Sequence, residues 1–242
     1  MMDKSLLSTK PIPVRERLIF AMDVPSVKEA KELVEKLGDS VRFYKLGLEI
    51  FMAGGYFELI EWLRKEKKEV FVDLKFFDVP QTVQSAVSQL RNHDVRFTTV
   101  HGNNEILKAA VKNKGDVKVL AVTVLTSLDR ADINDLGFAC DTASLVLSRA
   151  RRALELGCDG VISSGLESRK LRTDLGGNFL IVIPGIRPVD NTSDDQKRKV
   201  DVEDAFLNGA DYIVVGRPIK NAPDPKAKAE EIQKRIATLF AQ

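Results

Sequence analysis

Short β-branched or apolar runs alternate with longer stretches of helical period along almost the whole chain. The strand-like runs are RLIFAMD (17–23), FYKLGLEI (43–50), EVFVDLKF (69–76), RFTTVHG (96–102), VKVLAVTVLT (117–126), GVISS (160–164), FLIVIPGI (179–186) and YIVVGRP (212–218). Between them lie amphipathic stretches such as SVKEAKELVEKLG (26–38), YFELIEWLRKEKK (56–68), TVQSAVSQLRN (82–92), NEILKAAVKN (104–113) and TASLVLSRARRALELG (142–157), several of them closed by glycine as helix C-termini often are. Ser26, with Glu29 three residues on, predicts a capping box, and Asp201 is placed to cap the helix over VEDAFLNGA. Eight strand–helix repeats in 242 residues predict an α/β fold, a single-domain (β/α)8 TIM barrel over residues 13–242 preceded by a flexible tail over 1–12. Near-continuous apolar strands suit a parallel sheet covered by helices. A doubly wound open sheet is the alternative, but it usually needs fewer repeats, and no G-x-G-x-x-G follows the first strand.

Composition narrows the setting. Lys+Arg number 37 against Asp+Glu 35, a net charge of +2 that does not favour a nucleic-acid partner. The N-terminal stretch MMDKSLLSTKPIPVRER lacks the apolar core of a signal peptide, and no run approaches the roughly 20 apolar residues of a membrane helix. A soluble cytoplasmic protein without a membrane partner is expected. Cys140 and Cys158 stand in no ligand-like spacing, with only His93 and His101 to help, so neither a disulfide framework nor a metal site is expected.

In a barrel the site should lie where strands end and the following loops begin. The polar residues at those ends are Asp23, Lys45, Asp73 with Lys75, His101, Thr126 with Ser127, Ser163 with Ser164, Arg187, and Gly216 with Arg217. Most of them, taken singly, read as loop caps or rim residues. DLKFFDVPQT (73–82) is harder to dismiss, because burying charge at the end of VFV is costly unless each charge is paired. Residues 73 and 75 are two apart in a strand, so they share a face about 6.5 Å apart. Phe71 would share that inward face, while Val72 and Leu74 pack against helices. Lys45 on the neighbouring strand adds a second cation. Lys45 and Lys75 with Asp73 and Asp78 would form a neutral alternating network, each member held charged by its neighbours. A purely structural ion pair is the plainer reading of Asp73 and Lys75.

FVDLKFFDVPQTV resembles the signature D-x-K-x-x-D-[IV]-x-x-T of the orotidine 5'-phosphate decarboxylase family. The likeness continues in family order through AMD (21–23), YKLGLE (44–49), TVHG (99–102), AVTVLTS (121–127), PGIRP (184–188), DQ (195–196) and VVGRPI (214–219). The resemblance implies a cofactor-free decarboxylation of orotidine monophosphate to uridine monophosphate, the last step of pyrimidine synthesis. Lys75 then resembles the proton donor to C6, Asp73 the neighbour of the departing carboxylate, and Lys45 its flanking cation. Asp78 and Thr82 would cross a homodimer interface into the partner's site. Asp23 resembles the ribose-hydroxyl ligand, Thr126 and Ser127 the pyrimidine contacts, and Arg187, Gln196, Gly216 and Arg217 the phosphate grip. The basic residues Lys197, Arg198 and Lys199 beside Gln196 read as a solvated charge run.

Some positions depart from the family pattern: Phe77 where His is common, Gln81 where Asn is frequent, HGNNEIL (101–107) without a small-residue run, and KRKVD in place of Thr-Pro. None touches the Asp and Lys set. Magnesium-dependent sugar-phosphate decarboxylases resembling 3-keto-gulonate-phosphate decarboxylase share the barrel and a similar D-x-K-x-x-D, but lack AVTVLTS and DQ. A phosphate-binding barrel without catalysis, and half of an enzyme fused to a phosphoribosyltransferase, are the other readings; 242 residues leave no room here for a second domain.

Overall fold

A computed structural model describes residues 3–186 and 200–241. Eight parallel strands close in chain order into a barrel, β8 pairing back onto β1. They are β1 (Leu18–Ala21), β2 (Phe43–Leu46), β3 (Glu69–Phe76), β4 (Phe97–Val100), β5 (Lys118–Val122), β6 (Gly160–Ile162), β7 (Leu180–Ile183) and β8 (Tyr212–Val215). Helices α1 (Val27–Leu37), α2 (Leu48–Met52), α3 (Tyr56–Lys65), α4 (Pro80–Leu90), α5 (Asn104–Val111), α6 (Arg130–Asp135), α7 (Thr142–Glu155), α8 (Ser168–Leu175), α9 (Val202–Leu207), α10 (Arg217–Lys220) and α11 (Pro225–Phe240) connect and cover them.

Alternation along each strand sorts the core into two layers. Ile19, Phe43, Phe71, Phe97, Leu120, Ile162, Val182 and Tyr212 fill the barrel, whereas Phe20, Tyr44, Val72, Val161, Ile181 and Ile213 face the helices. Phe43, Phe97 and Tyr212 meet one another at ring-centroid distances of 5.1–5.9 Å, and Phe71 meets Phe97 at 5.8 Å. These rings make an apolar floor beneath the C-terminal ends of the strands. Aromatic side chains serve well here because edge-to-face pairs fill volume, and the one hydroxyl among these rings, that of Tyr212, is hydrogen-bonded to Arg96.

Several strands are shorter than the apolar runs predict. FYKLGLEI leaves the sheet after Leu46 and turns at Gly47 into α2, and VKVLAVTVLT leaves it after Val122. Of their apolar continuations, Ile50 packs into the core from α2, and Val124 and Leu125 pack as loop residues rather than as sheet. Ser26 caps α1 by accepting from the Glu29 N–H. Asp201 sits at the N-cap of α9 but makes no capping bond there; its carboxylate is paired with Arg235 of α11. An ion pair to a cation outcompetes the weaker bond to a backbone amide.

The segment expected to be a free tail makes specific contacts at the bottom of the barrel. The Ser8 hydroxyl donates to Asp211, Lys10 pairs with the same carboxylate at 3.0 Å, and Ile12 packs against the barrel interior. Asp211 is fully buried, and Arg172 completes its set of cations. Cys140 and Cys158 are free, and burial first of all pushes the Cys158 thiol up to about 12. Among the described residues no helix is long and apolar enough to cross a membrane.

Candidate active site

The mouth at the C-terminal ends of the strands opens into a cavity of about 310 Å³ lined by Asp23, Lys45, Asp73, Lys75, Thr126, Ser127, Gly216 and Arg217 together with Leu125, Pro184 and Gly185. Its base is Phe71, Ile162 and Val214, the top of the apolar filling.

Four charges alternate across this floor. Lys45 lies 3.3 Å from Asp23 and 3.4 Å from Asp73, and Lys75 lies 2.9 Å from the other oxygen of Asp73. The Asp73 side chain is 11% exposed and that of Lys45 13%, against 50% for Asp23 and 37% for Lys75, so the inner pair is buried and the outer pair reaches solvent. Burial by itself would raise the Asp73 carboxyl, but Lys45, Lys75 and hydrogen bonds from Lys75 and Thr99 outweigh it and hold the group below the usual carboxylate range. Burial likewise opposes the Lys45 ammonium, and Asp73 and Asp23 more than compensate, so its pKa is raised. Both members of the inner pair are therefore fixed in their charged forms.

The strand carrying this pair is not regular. Val72 pairs with Thr98, and the next pairing is Phe76 with Val100, so β3 bulges between them. Lys75 sits in the bulge with φ of +48°, a left-handed conformation rare for a residue with a Cβ. Asp73 and Lys75 do converge, as strand alternation suggests, yet through a bulge rather than through a flat pleat. The bulge also turns Phe77, Asp78 and Val79 outward.

Asp78 and Thr82 line neither this cavity nor the groove beside it. Both are exposed, and Asp78 accepts a 2.6 Å hydrogen bond from the Val79 N–H. Within one chain the second carboxylate of the alternating network is therefore Asp23, not Asp78. Arg187 and Gln196, with the basic run 197–199, lie outside the described residues. His101 stands aside, half-buried against the Phe77 ring at 5.5 Å; its pKa is lowered first by burial and then by Arg149 and Lys75.

The structure adds residues that the sequence reading did not single out. Thr99 donates to Asp73 at 2.8 Å and accepts from the Lys75 N–H at 3.0 Å. Its signal was available: in RFTTVHG, Thr99 has the inward parity of Phe97, so a hydroxyl interrupts an otherwise apolar face. Gly47 lies where a Cβ would come within 3.1 Å of the Lys45 ammonium and 3.5 Å of Asp23, which explains a glycine directly after the strand. Lys220, one helical turn after Arg217, donates to the Asp23 carbonyl and lines the adjoining groove with Arg217 and Glu49. Among the described residues no group of three or more His, Cys, Asp or Glu side chains could hold a metal ion.

Fold and mouth together define a (β/α)8-barrel enzyme that holds a fixed array of two ammonium and two carboxylate groups at the C-terminal ends of its strands. Residues 16–232 match the sequence profile of the orotidine 5'-phosphate decarboxylase / HUMPS family, and the chain belongs to that family. It is 60% identical over 238 residues to the orotidine 5'-phosphate decarboxylase of Methylococcus capsulatus, covering 98% of each chain, and 47% identical over 239 residues to that of Stenotrophomonas maltophilia, covering 97% of this chain and 99% of the other. The crystal structure of orotidine 5'-phosphate decarboxylase from Lactobacillus acidophilus superposes with a TM-score of 0.80 at 36% identity, covering 91% of this chain and 99% of that one.

Proposed function

We propose that the protein decarboxylates orotidine 5'-monophosphate to uridine 5'-monophosphate in pyrimidine synthesis, in the cytoplasm and without a metal or organic cofactor. The observation that carries this reading is Asp73 clamped between two ammonium groups on an apolar floor inside an open cavity. The C6–carboxylate bond breaks, its electron pair stays on C6, carbon dioxide leaves, and a proton moves from the Lys75 ammonium to C6. The ring delocalises that carbanion poorly, so the barrier must fall through charges set in place beforehand, where negative charge develops. Lys75 supplies the cation and then the acid. Asp73, facing the substrate carboxylate, keeps Lys45 and Lys75 apart and aimed.

Asp23 suits the ribose hydroxyls as an acceptor half open to solvent. Thr126 and Ser127 offer hydroxyls at the opposite rim for the polar edge of the base. Arg217 can grip phosphate bidentately next to the Gly216 backbone, with Arg187 and Gln196 assigned to the same grip. Phosphate binding remote from C6 helps draw the reactive part of the substrate into the charged array.

The site is completed by a second copy of the chain. Asp78 is flanked by Phe77 and Val79, which are 68% and 62% exposed, and Leu48 and Met52 at the same end of the barrel are 60% and 78% exposed. Apolar side chains this open around a charged loop suit a contact that carries Asp78 and Thr82 into the partner's cavity. The test is the loss of ultraviolet absorbance when EDTA-treated protein meets orotidine monophosphate, run beside Lys75→Ala. Turnover without metal that vanishes in the variant supports the reading. No turnover from folded, dimeric protein would overturn it.

A further inference from the structure

We propose that Thr99 is the positioning residue that locks Asp73 and Lys75 into their working arrangement. This inference rests on the decarboxylase reading for its kinetic consequence, but not for its geometry.

Thr99 is the third residue of β4 and is fully buried. Its hydroxyl has one proton, which goes to Asp73 Oδ1 at 2.8 Å, and a lone pair that receives the Lys75 N–H at 3.0 Å. The same Oδ1 receives the Lys75 ammonium at 2.9 Å. Lys75 is thus tied to one carboxylate oxygen from both ends, directly by its side chain and through Thr99 by its backbone. The three groups form a directed chain, amide to hydroxyl to carboxylate, in which each bond polarises the next.

This arrangement answers a need that the bulge creates. Past Val72 the pairing with β2 has ended and the pairing with β4 is interrupted until Phe76, so the Lys75 N–H must find another acceptor inside the protein. Lys75 also holds a positive φ, a conformation that persists only where its surroundings over-determine it. Thr99 supplies both the acceptor and the constraint. Without the hydroxyl the backbone at Lys75 loses its anchor, Asp73 loses a donor, and the ammonium is no longer confined to one place relative to the reacting carbon. Because a displacement of about 1 Å can cost on the order of a hundredfold in rate, the effect should fall on the chemical step.

The experiment compares Thr99→Val, which keeps the branched shape and removes the hydroxyl, with Thr99→Ser, which keeps the hydroxyl. In the full-length protein Thr99→Val should lower kcat about ten- to a hundredfold, with KM and the affinity for uridine monophosphate changed less than about threefold, since the phosphate grip is untouched. Thr99→Ser should stay within about threefold of the parent in kcat. The Asp73 carboxyl, followed by carbon-13 NMR in protein without substrate, should titrate at higher pH in Thr99→Val and at an unchanged pH in Thr99→Ser. Should Thr99→Val not fold, Thr99→Ala removes the same hydroxyl with less bulk and carries the same expectations.

Equal impairment of the serine and valine variants would make the role one of packing and overturn the proposal, as would a valine variant with parental kcat and an unshifted Asp73. If the parent itself does not turn over orotidine monophosphate, the decarboxylase reading falls. The NMR comparison then still decides the positioning role.

Discussion

Replacing Lys45 with methionine tests whether the inner ion pair is held together by the site or merely tolerated. Methionine matches the apolar stem of lysine and removes the charge that touches Asp23 at 3.3 Å and Asp73 at 3.4 Å. Two unit charges at such a distance attract by about 5 kcal/mol at an effective dielectric constant near 20, and the variant no longer has to dehydrate an ammonium. Lys75 still faces Asp73, and Asp23 is half open to water, so the loss should lie at the low end of the range for breaking a buried pair, about 3 kcal/mol at pH 7. The pH dependence discriminates better than the magnitude. In the parent, the depressed Asp73 pKa contributes stability above its unfolded value, near 3.8, that is lost as pH falls through the lower folded value. Without Lys45, burial is opposed by one cation instead of two, and the folded pKa should climb. Protonation then relieves the variant where it penalises the parent, so the gap between them should narrow as pH drops from 7 toward 3. Urea unfolding at a series of pH values measures this gap directly. A gap that is constant or widens in acid would refute the argument that Lys45 keeps Asp73 ionised.

Other consequences can be checked independently. Asp211→Asn keeps the shape of a fully buried group but leaves Arg172 and Lys10 without their anion, so stability should fall by about 3–5 kcal/mol, lowering Tm by on the order of 10 °C in a calorimetric scan. Deleting residues 3–12 should reproduce part of that loss, since it removes Ser8 and Lys10 from the same carboxylate; unchanged Tm would make those contacts incidental. Mixing Lys75→Ala with Asp78→Ala subunits should regenerate one intact site in each mixed dimer, about a quarter of parental activity at random pairing, and no recovery on mixing would refute the shared site. Arg217→Ala should raise KM by about ten- to a hundredfold with a smaller change in kcat, as expected for losing a charge-assisted phosphate contact of roughly 1.5–3 kcal/mol; unchanged KM would place the phosphate elsewhere.

The barrel was legible because its signal is repeated: eight apolar runs of similar length, each followed by a helical period, leave few other ways to bury both faces of a sheet. Strand ends were not, because Ile50 in FYKLGLEI is apolar to pack from helix α2 and Leu125 in VKVLAVTVLT to pack from a loop onto the barrel filling, and periodicity over so short a run cannot separate a strand from the segment that continues it. Asp23, Lys45, Asp73, Lys75, Thr126, Ser127, Gly216 and Arg217 were drawn from strand ends, and topology brings them to one cavity. The choice of Asp78 as the second carboxylate of the network followed sequence proximity, whereas the fold places Asp23 from a neighbouring strand beside Lys45. Short sequence separation says little about contact where the strand ends and the chain leaves the barrel mouth, as it does after Phe76.

That bulge also explains why charge stands at the end of so apolar a strand. In a regular pleat the Lys75 N–H would point to the β2 side, as that of Glu69 does, and away from Thr99 of β4. The bulge frees that N–H for Thr99, brings the ammonium back onto Asp73, and leaves both over rings that admit no competing dipole. Lys45 and Asp23 then close the array at zero net charge, so no member is buried without an opposite neighbour. Each of these groups would be costly in this place alone. Held together, they keep two cations stationary around a cavity whose floor cannot screen them, which is the condition under which a fixed charge lowers the energy of a developing carbanion.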